Sequence, residues 1–224
     1  MNVKRTAEKS DEHRRIVVYG AGGLGREVLQ MVRLTLAKFG ARVLGFLDDG
    51  VEPGTVRNEA TVLGGLDYLD AVTEPLSVVF GFSDSVAKER VYGRLRQNPL
   101  IFFPNVIHPT AILREYLSLG EGVVVAAGVH VSVNVTIGNG VLLNDSATVG
   151  HDVTIGSFSS IMPQVAVSGN ITIGERTLLG VHSSLRQGIR VGSDCVIGMG
   201  SVVLRDVPDG STVLGNPART CERR

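Results

Sequence analysis

An aliphatic residue at every sixth position in the second half of this chain constrains its fold more than any other feature. From Ile107 to Val203, 17 consecutive positions spaced six apart hold Ile, Leu or Val. A helix cannot use this pattern, because six residues make about 1.7 helical turns and would spread the aliphatic side chains around its surface. A period of six instead fits a short strand followed by a turn, and three such units form one triangular coil.

Three of these units make a coil of 18 residues. This period is visible in the Thr-Ile-Gly triplets at 136–138, 154–156 and 172–174. Glycine often follows the aliphatic residue directly, and since glycine adopts positive φ at little cost, we expect it to supply the corners between strands. The units make between five and six coils, a prism about 27 Å long at about 4.8 Å per coil. No insertion interrupts them, so we expect no loop to leave the prism.

The first half of the chain alternates strand and helix patterns. They predict strands at 16–19, 42–47, 76–80 and 101–103 and helices at 26–38 and 84–96. The order strand, glycine-rich turn, helix, strand and acidic pair is typical of an α/β nucleotide-binding unit. The sequence therefore predicts a flexible tail over residues 1–14, a half-Rossmann α/β domain over 15–104 and the prism over 105–224.

The turn at residues 20–25 contains four glycines, but their spacing departs from the strict G-x-G-x-x-G pattern. Glycines in such a turn let the backbone approach a phosphate, and the following helix offers free N–H groups to an anion. A complete NAD site is disfavoured, because the domain has about 90 residues, roughly half of a dinucleotide fold. We favour a mononucleotide or nucleotide-sugar site, and the alternative is a turn that only packs the helix against the sheet.

Composition disfavours several classes of partner. Lys and Arg balance Asp and Glu at 22 each and the pI is about 7.0, so nothing favours nucleic acid or a membrane surface. Two cysteines do not make a disulfide framework, which fits a reducing compartment. The opening segment MNVKRTAEKSDEHRR is polar and no apolar run reaches the length of a membrane span, so we expect no signal peptide, no transmembrane helix and a cytoplasmic location.

Among the five histidines, His151 is the strongest candidate for chemistry. It lies two residues after the aliphatic Val149 and directly before Asp152, at an expected corner where its side chain can point outward. Acyl transfer to an amine or hydroxyl needs a base to take the proton, and a histidine beside a carboxylate suits that role. The pattern alone leaves an ordinary surface histidine as the alternative.

The prism and the α/β unit together, over about Arg15–Arg219, resemble the hexapeptide-repeat sugar acetyltransferases. This group contains sialic-acid O-acetyltransferases and nucleotide-aminosugar N-acetyltransferases, the latter acting on UDP-4-amino-4,6-dideoxy sugars or GDP-perosamine. The resemblance implies that the prism is a left-handed parallel β-helix, although crossover rules alone favour right-handed winding. It also implies a homotrimer with active sites between subunits, in which acetyl-CoA, the co-substrate, lies between two prisms. The implied reaction is acetyl transfer to a sugar 4-amino group. The implied role is in the synthesis of a bacterial surface glycan (for example lipopolysaccharide) or a glycoprotein.

The resemblance also assigns roles to individual residues. It makes His151 the general base, Asp152 the carboxylate that stabilises the imidazolium, and Gly169, one coil later, the backbone N–H donor to the thioester oxyanion. The positions that match contacts to acetyl-CoA are Ser160, Val181 and Met199. The positions that match contacts to the nucleotide sugar are Gly22, Gly23, Leu24, Asp48, Asp49 and Gly81. Many members carry His where this chain has Leu24, which removes a polar contact, and some carry His at the position of Ser160.

Alternatives to this function stay open. An O-acetyltransferase acting on a sialic-acid-like sugar would keep the prism and the base without needing a nucleotide, and a non-catalytic nucleotide-sugar-binding scaffold would keep the fold without turnover. The zinc site of the γ-class carbonic anhydrases, which share the prism, is disfavoured. With His182 as one ligand, its spacing requires histidines where Ser146 and Gln187 stand, so we expect no metal.

Overall fold

The computed structural model describes residues 15–36 and 40–221. The predicted tail, residues 1–14, and the predicted last turn of the first helix, at 37–38, lie outside the described residues. The chain divides between Ile107 and His108 into two compact units, whereas the sequence suggested a boundary between 104 and 105. Among the described residues, no helix is long and apolar enough to span a bilayer.

The N-terminal unit is built on a six-stranded sheet. Its strands are β1 (Arg15–Tyr19), β2 (Arg42–Leu47), β3 (Val56–Arg57), β4 (Ala60–Gly64), β5 (Leu76–Phe80) and β6 (Ile101–Phe102). Its helices are α1 (Gly23–Thr35), α2 (Ser85–Leu95) and the 3-10 helix Leu66–Ala71. The strand order is β3-β4-β2-β1-β5-β6, and all neighbours are parallel except β3 and β4. The apolar run of β1 is buried on both faces, as a central parallel strand requires.

Helix α1 begins at Gly23, three residues before the predicted start. Gly25 therefore lies inside the first helical turn, where a Cβ atom would stand 1.9 Å from the carbonyl oxygen of Gly20. The close approach of the helix to the preceding turn requires glycine at this position.

The sequence did not predict β3, β4 or the 3-10 helix. β3 and β4 form a hairpin whose two turn residues, Asn58 and Glu59, have φ angles of 44° and 63°. Two-residue hairpin turns with positive φ usually contain glycine. Because Asn-Glu lacks that signal, the hairpin was missed.

The C-terminal unit is a three-sided stack of very short strands. The chain enters it after β7 (Val106–Ile107), and its strands are β8 (Ile112–Leu113), β9 (Leu117–Leu119), β10 (Val124–Val125), β11 (His130–Val131), β12 (Val135–Ile137), β13 (Leu142–Leu143), β14 (Thr148–Val149), β15 (Thr154–Ile155), β16 (Ser160–Ile161), β17 (Ala166–Val167), β18 (Thr172–Ile173), β19 (Leu178–Leu179), β20 (Ser184–Leu185), β21 (Arg190–Val191), β22 (Val196–Ile197), β23 (Val202–Val203), β24 (Thr212–Leu214) and β25 (Arg219–Cys221).

Three sheets form the sides of this prism. In this unit the first contains β10, β13, β16, β19, β22, β24 and β25, the second β8, β11, β14, β17, β20 and β23, and the third β9, β12, β15, β18 and β21. Up to β23 the strands are parallel and each pairs with the strand one coil later, as in Thr148↔Ala166 and Ala166↔Ser184. The predicted prism, with three strand–turn units in each coil, is therefore the fold of this unit.

The aliphatic side chains at every sixth position form the interior of the prism. Those from Val125 to Val203 are all buried, while Leu113 and Leu119 in the first coil are half-buried. Small or β-branched residues two positions earlier are buried beside them. The hydroxyls of two of these, Ser159 and Thr177, donate to backbone carbonyls. The Thr177 hydroxyl, for example, donates to the Gly192 carbonyl at 2.7 Å. Satisfied hydroxyls of this kind let a polar residue occupy the interior.

The glycines that follow the aliphatic residues do not have positive φ, so that prediction was wrong. Positive φ occurs instead three positions after the aliphatic residue, where this chain has a variety of residue types: Asn134, Asp152, Phe158, Asn170, Arg176, Gly140 and Gly188. A Cβ atom at Gly156 would lie 2.5 Å from the carbonyl carbon of Gly174 in the next coil. These glycines are needed because the backbones of adjacent coils approach too closely for any side chain.

Gly156→Ala is therefore expected to lower the free energy of unfolding by about 1–3 kcal/mol, since the backbone of the next coil must move away from the new methyl group. Urea denaturation monitored by circular dichroism measures this change. Gly93→Ala is the matched control, because the residue lies inside α2 and a Cβ atom there meets nothing within 4 Å in the part of the chain that the structure describes. The control should be neutral or slightly stabilising, and equal stability of both variants would contradict the close-approach explanation.

The last coil is shorter than the others. After β23, Val207 pairs with Val191, and Asp206 accepts a hydrogen bond from the Arg190 N–H. The Ser193 N–H donates to Asp209, 16 residues later, whereas the Glu175 N–H, at the same place one coil earlier, donates to Ser193, 18 residues later. The last coil has therefore lost two positions. β24 then pairs with the antiparallel β25, which covers the edge of the first sheet.

Candidate active site

His151 lies at the corner that follows β14, where the chain turns from the second sheet to the third. Its backbone is held between two coils, because Asp152 N–H donates to Val133 at 3.1 Å and Asn170 N–H donates to the His151 carbonyl at 2.9 Å. Asp152 has a φ of 57°, so the corner itself is formed by this residue. With Val149 pointing inward, the imidazole stands outside the prism, and 48% of its side-chain surface is exposed.

The imidazole has a fixed orientation. His151 Nδ1 lies 2.7 Å from Asp152 Oδ2, and Asp152 Oδ1 accepts a hydrogen bond of 3.0 Å from the Asn134 amide. The hydrogen bond with His151 and then that with Asn134 hold the pKa of the Asp152 carboxyl below its ordinary value, so this group is a carboxylate at neutral pH. Because a carboxylate only accepts hydrogen bonds, Nδ1 carries the proton and the lone pair of the neutral ring is on Nε2.

Gly169 lies directly against the ring. A Cβ atom at this position would be 2.5 Å from His151 Nε2 and 2.6 Å from Cε1. Only glycine therefore permits the observed ring position. The structure thus brings His151, Asp152 and Gly169 together, and it adds Asn134, which was not predicted.

The backbone N–H of Gly169 also lies beside the ring. At some equivalent places in other coils, such as Glu121 and Glu175, the N–H group donates to a side chain one coil later, that of Asn139 or Ser193. Within residues 15–36 and 40–221, the Gly169 N–H has no such acceptor. A donor without a protein acceptor beside Nε2 can serve an oxyanion.

The residues predicted to contact acetyl-CoA lie elsewhere on the prism. Val181 and Met199 follow β19 and β22, at the corners between the first and second sheets, and Met199 is 77% exposed. His151 stands at the corner between the second and third sheets, so one chain does not bring these residues together. Ser160 is fully buried, which disfavours a direct side-chain contact with a ligand.

A shallow groove lies beside His151 on the outer face of the second sheet. It was not predicted, although small residues at outward-facing positions of this sheet are visible in the sequence. Its lining residues are His130, Ser132, Thr148, Gly150, Ala166 and Ser168. Small side chains here leave room for an extended ligand or a neighbouring surface to approach the imidazole.

In the N-terminal unit, the predicted glycines fall into two classes. A Cβ atom at Gly22 or Gly23 meets no atom of the described residues within 4 Å, so packing among these residues does not require glycine at either position. Gly81 differs, since a Cβ atom there would lie 2.7 Å from the Gly25 Cα atom. Gly22 is the N-cap of α1 without a side-chain capping bond, which leaves N–H groups of the first turn available to a ligand. Leu24, partly exposed, lies in the same turn.

The acidic pair Asp48–Asp49 joins several loops of the N-terminal unit. Asp48 accepts hydrogen bonds from the N–H groups of Ala21 at 2.8 Å and Gly50 at 2.9 Å. Asp49 accepts from the Leu66 N–H at 2.7 Å and from the hydroxyl of Tyr19, a residue that was not predicted. Burial, followed by the bond to Asp49, raises the pKa of Tyr19 far above its ordinary value, so the phenol stays a neutral donor. The pair therefore shapes the end of the sheet around the glycine-rich turn.

Known proteins show the same two-part organisation. Residues 15–95 match the PglD N-terminal domain, and residues 170–205 match the hexapeptide repeat of succinyl-transferase. The fold and the corner histidine thus define a hexapeptide-repeat acyltransferase with a PglD-type N-terminal domain. No curated protein sequence matches the chain.

Several solved structures are similar over nearly the whole chain. The acetyltransferase domain of PglB from Neisseria gonorrhoeae, solved with acetyl coenzyme A, is 31% identical, with 93% of this chain and 100% of that chain covered and a TM-score of 0.84. WeeI from Acinetobacter baumannii is 30% identical over 92% and 99% of the two chains, with a TM-score of 0.84. A perosamine N-acetyltransferase from Caulobacter crescentus, solved with CoA and GDP-perosamine, is 28% identical over 93% and 97%, with a TM-score of 0.82. The chain belongs to the family of hexapeptide-repeat sugar N-acetyltransferases.

This membership confirms the predicted fold class, an α/β half-Rossmann unit followed by a left-handed parallel β-helix. It also confirms the predicted enzyme class, an acetyl-CoA-dependent sugar N-acetyltransferase. The roles of individual residues stay predictions. Among the described residues, no group of three or more His, Cys, Asp or Glu side chains is arranged to hold a metal ion.

Proposed function

We propose that this protein transfers the acetyl group of acetyl-CoA to the 4-amino group of a nucleotide-linked amino-deoxysugar. The observation that carries the proposal is the His151 imidazole, held by Asp152 on one side and Gly169 on the other with Nε2 available as a base. Relatives solved with CoA and GDP-perosamine, or with acetyl coenzyme A, support the same substrate classes for this chain.

The proposed reaction uses the groups that surround the ring. The sugar amine attacks the thioester carbonyl carbon as His151 Nε2 takes a proton from the nitrogen, which forms a tetrahedral intermediate. The Gly169 N–H stabilises the oxyanion, and Asp152 stabilises the imidazolium. The C–S bond then breaks, and the imidazolium returns the proton to the departing CoA thiolate. The products are the N-acetylated sugar and CoA, without an acyl-enzyme.

The N-terminal unit supplies support for a nucleotide sugar as acceptor. Gly22 and Gly23 leave the start of α1 open, and the N–H groups of a helix N-terminus favour an anion such as a diphosphate. Leu24 cannot donate a hydrogen bond to that ligand through its side chain, so other groups around the turn must select the nucleotide. Asp48, Asp49 and Gly81 are the remaining candidates for sugar or nucleotide contacts.

A homotrimer is part of the proposal. His151 lies on one edge of the prism and the pair Val181 and Met199 on another, so a CoA molecule that contacts both sets requires the edges of two subunits. A three-sided prism allows each subunit to offer one edge to each neighbour. We place this enzyme in the cytoplasm, where acetyl-CoA and nucleotide sugars are available together.

The test measures turnover with three acceptors: a UDP-4-amino-4,6-dideoxy sugar, GDP-perosamine and a sialic acid. We expect CoA release and an N-acetylated product with one of the nucleotide sugars, and a rise in melting temperature with the matching free nucleotide. Acetylation of the sialic acid alone would overturn the proposal in favour of an O-acetyltransferase. Ligand-induced stabilisation without turnover of any acceptor would favour a non-catalytic scaffold.

A further inference from the structure

Asp152 belongs to a column of equivalent corner residues in the prism. Asn134, Asp152 and Asn170 occupy this corner in three successive coils, with φ angles of 57°, 57° and 55°. The strands before the corners pair in register, as in Val131↔Val149, so the three residues are stacked along the prism axis. Asn and Asp tolerate positive φ better than most residues with a Cβ atom, so each of the three suits the backbone of its corner.

The two asparagines of this column differ in the partners of their side chains. The Asn134 amide donates from Nδ2 to Asp152 Oδ1 at 3.0 Å, while Asp152 Oδ2 lies 2.7 Å from His151 Nδ1. Among the residues that the structure describes, the Asn170 side chain has no hydrogen-bond partner, and its backbone N–H donates to the His151 carbonyl at 2.9 Å. Asn134 therefore does something that the backbone of its corner does not require, because it anchors one oxygen of the carboxylate.

The Asp152 carboxylate needs such an anchor because it is exposed. Of its side-chain surface, 45% is accessible, and rotation about the Cβ–Cγ bond exchanges its two equivalent oxygens. The bond to Asn134 holds Oδ1 and leaves Oδ2 turned towards the imidazole. A neutral amide suits this role, since it donates a hydrogen bond without adding a positive charge that would oppose the stabilisation of an imidazolium.

The orientation of the carboxylate decides which nitrogen of His151 can act as a base. A neutral imidazole in water prefers to carry its proton on Nε2, and in that tautomer Nε2 has no lone pair to accept the proton of an amine. A hydrogen bond from Nδ1–H to a carboxylate reverses this preference and frees Nε2. A carboxylate that turned away from Nδ1 would leave part of the enzyme in the inactive tautomer, although every reacting group would still be present.

We propose that Asn134 is a positioning residue, which keeps the Asp152 carboxylate turned towards His151 and the imidazole in the tautomer with a free Nε2. This inference rests on the proposed function, because it concerns His151 as the base. Asn134 acts through Asp152 from the preceding coil, about 4.8 Å away along the axis, and not through the reacting atoms. Its removal should therefore lower kcat and leave the KM values of both substrates unchanged.

The first test measures steady-state kinetics of two variants that lack the donor. Asn134→Ala should lower kcat about fivefold, the usual effect of one hydrogen bond. Asn134→Asp keeps the size of the side chain and its tolerance of positive φ, but it cannot donate and repels Asp152, so its loss should be at least as large. Asn170→Ala is the matched control, since it makes the same substitution at nearly the same φ and keeps the backbone N–H that bonds to His151. The control should retain the wild-type kcat.

A double variant tests whether Asn134 acts through the carboxylate. In an Asp152→Ala background the amide has no carboxylate to hold, so Asn134→Ala should cause no further loss of kcat. A second fivefold loss in this background would contradict the inference, because it would show that Asn134 acts by another route.

The tautomer of His151 can be observed without turnover. In protein labelled with ¹⁵N-histidine, proton–nitrogen correlation spectra distinguish a protonated ring nitrogen from an unprotonated one, and the His151→Ala variant identifies the signals. Wild type and Asn170→Ala should show the proton on Nδ1, whereas both Asn134 variants should shift towards the Nε2–H form. Unchanged ring signals in the Asn134 variants, or an equal loss of kcat in Asn170→Ala, would overturn the inference. Failure of the wild-type enzyme to acetylate any acceptor would refute the proposed function, and the spectra would still test the role of Asn134 in orienting the ring.

Discussion

His151→Ala is expected to lower kcat for acetyl transfer by about a thousandfold. The variant removes the group placed to take the proton from the attacking amine, and general bases contribute about 10²–10⁴ in rate. The side chain is exposed and outside the aliphatic core, so the melting temperature and the affinity for CoA should change little. The release of CoA, followed with a thiol reagent at saturating substrates, measures the effect.

His108→Ala is a matched control for this experiment. His108 bonds to Thr110 at 2.8 Å at the start of the prism and takes no part in the proposed reaction. Asp152→Asn should have a smaller effect, roughly tenfold, because the amide oxygen can still accept from Nδ1 but carries no charge to stabilise the imidazolium. Full activity of His151→Ala would remove the base assignment, and an equal loss in His108→Ala would indicate damage to the fold.

The β-helix could be predicted because its core uses aliphatic residues at a fixed spacing. Burial of every sixth residue from Val125 onwards follows directly from that pattern. The reason for the glycines could not be predicted in the same way. The constraint at Gly156 is the distance to the backbone of Gly174, one coil away, and only the stacked coils reveal it.

The candidate site was predicted in part for the same reason. The position of His151 two residues after Val149 placed the imidazole at a corner, and Asp152 is its neighbour in sequence. Asn134 was missed, since it reaches Asp152 only through coil stacking. Tyr19 was missed because its bond to Asp49 joins the ends of two adjacent parallel strands, and a tyrosine in a strand pattern looks like part of the core.

The N-terminal unit shows a further limit of reasoning from the sequence. A glycine-rich turn followed by an acidic pair suggested a nucleotide-sugar site, with a turn that only packs the helix against the sheet as the alternative. The structure uses Gly20, Gly25 and Gly81 for close packing, and Asp48 and Asp49 bind backbone N–H groups of nearby loops. Motif spacing carries no information about this division, because the same residue types serve packing and binding.

Gly169→Ala is expected to lower kcat about a hundredfold while leaving the fold intact. The backbone at residue 169 does not have positive φ, so alanine causes no backbone strain. The three atoms nearest to the new Cβ would all belong to the His151 ring, the closest at 2.5 Å. The ring must therefore rotate away from its 2.7 Å bond with Asp152, and displacements of about 1 Å cost rates of this order.

A double-mutant cycle distinguishes this mechanism from a general disturbance of the coil. If Gly169→Ala acts by displacing the imidazole, it has nothing to displace in a His151→Ala background, and the double variant should be no slower than His151→Ala alone. Independent effects would multiply and make the double variant about a hundredfold slower still. Such additivity would show that the new methyl group lowers the rate without displacing the ring, for example by shifting the N–H group of residue 169. Non-additive kinetics, with unchanged melting temperatures, would show that the missing side chain at 169 keeps the base in its active position.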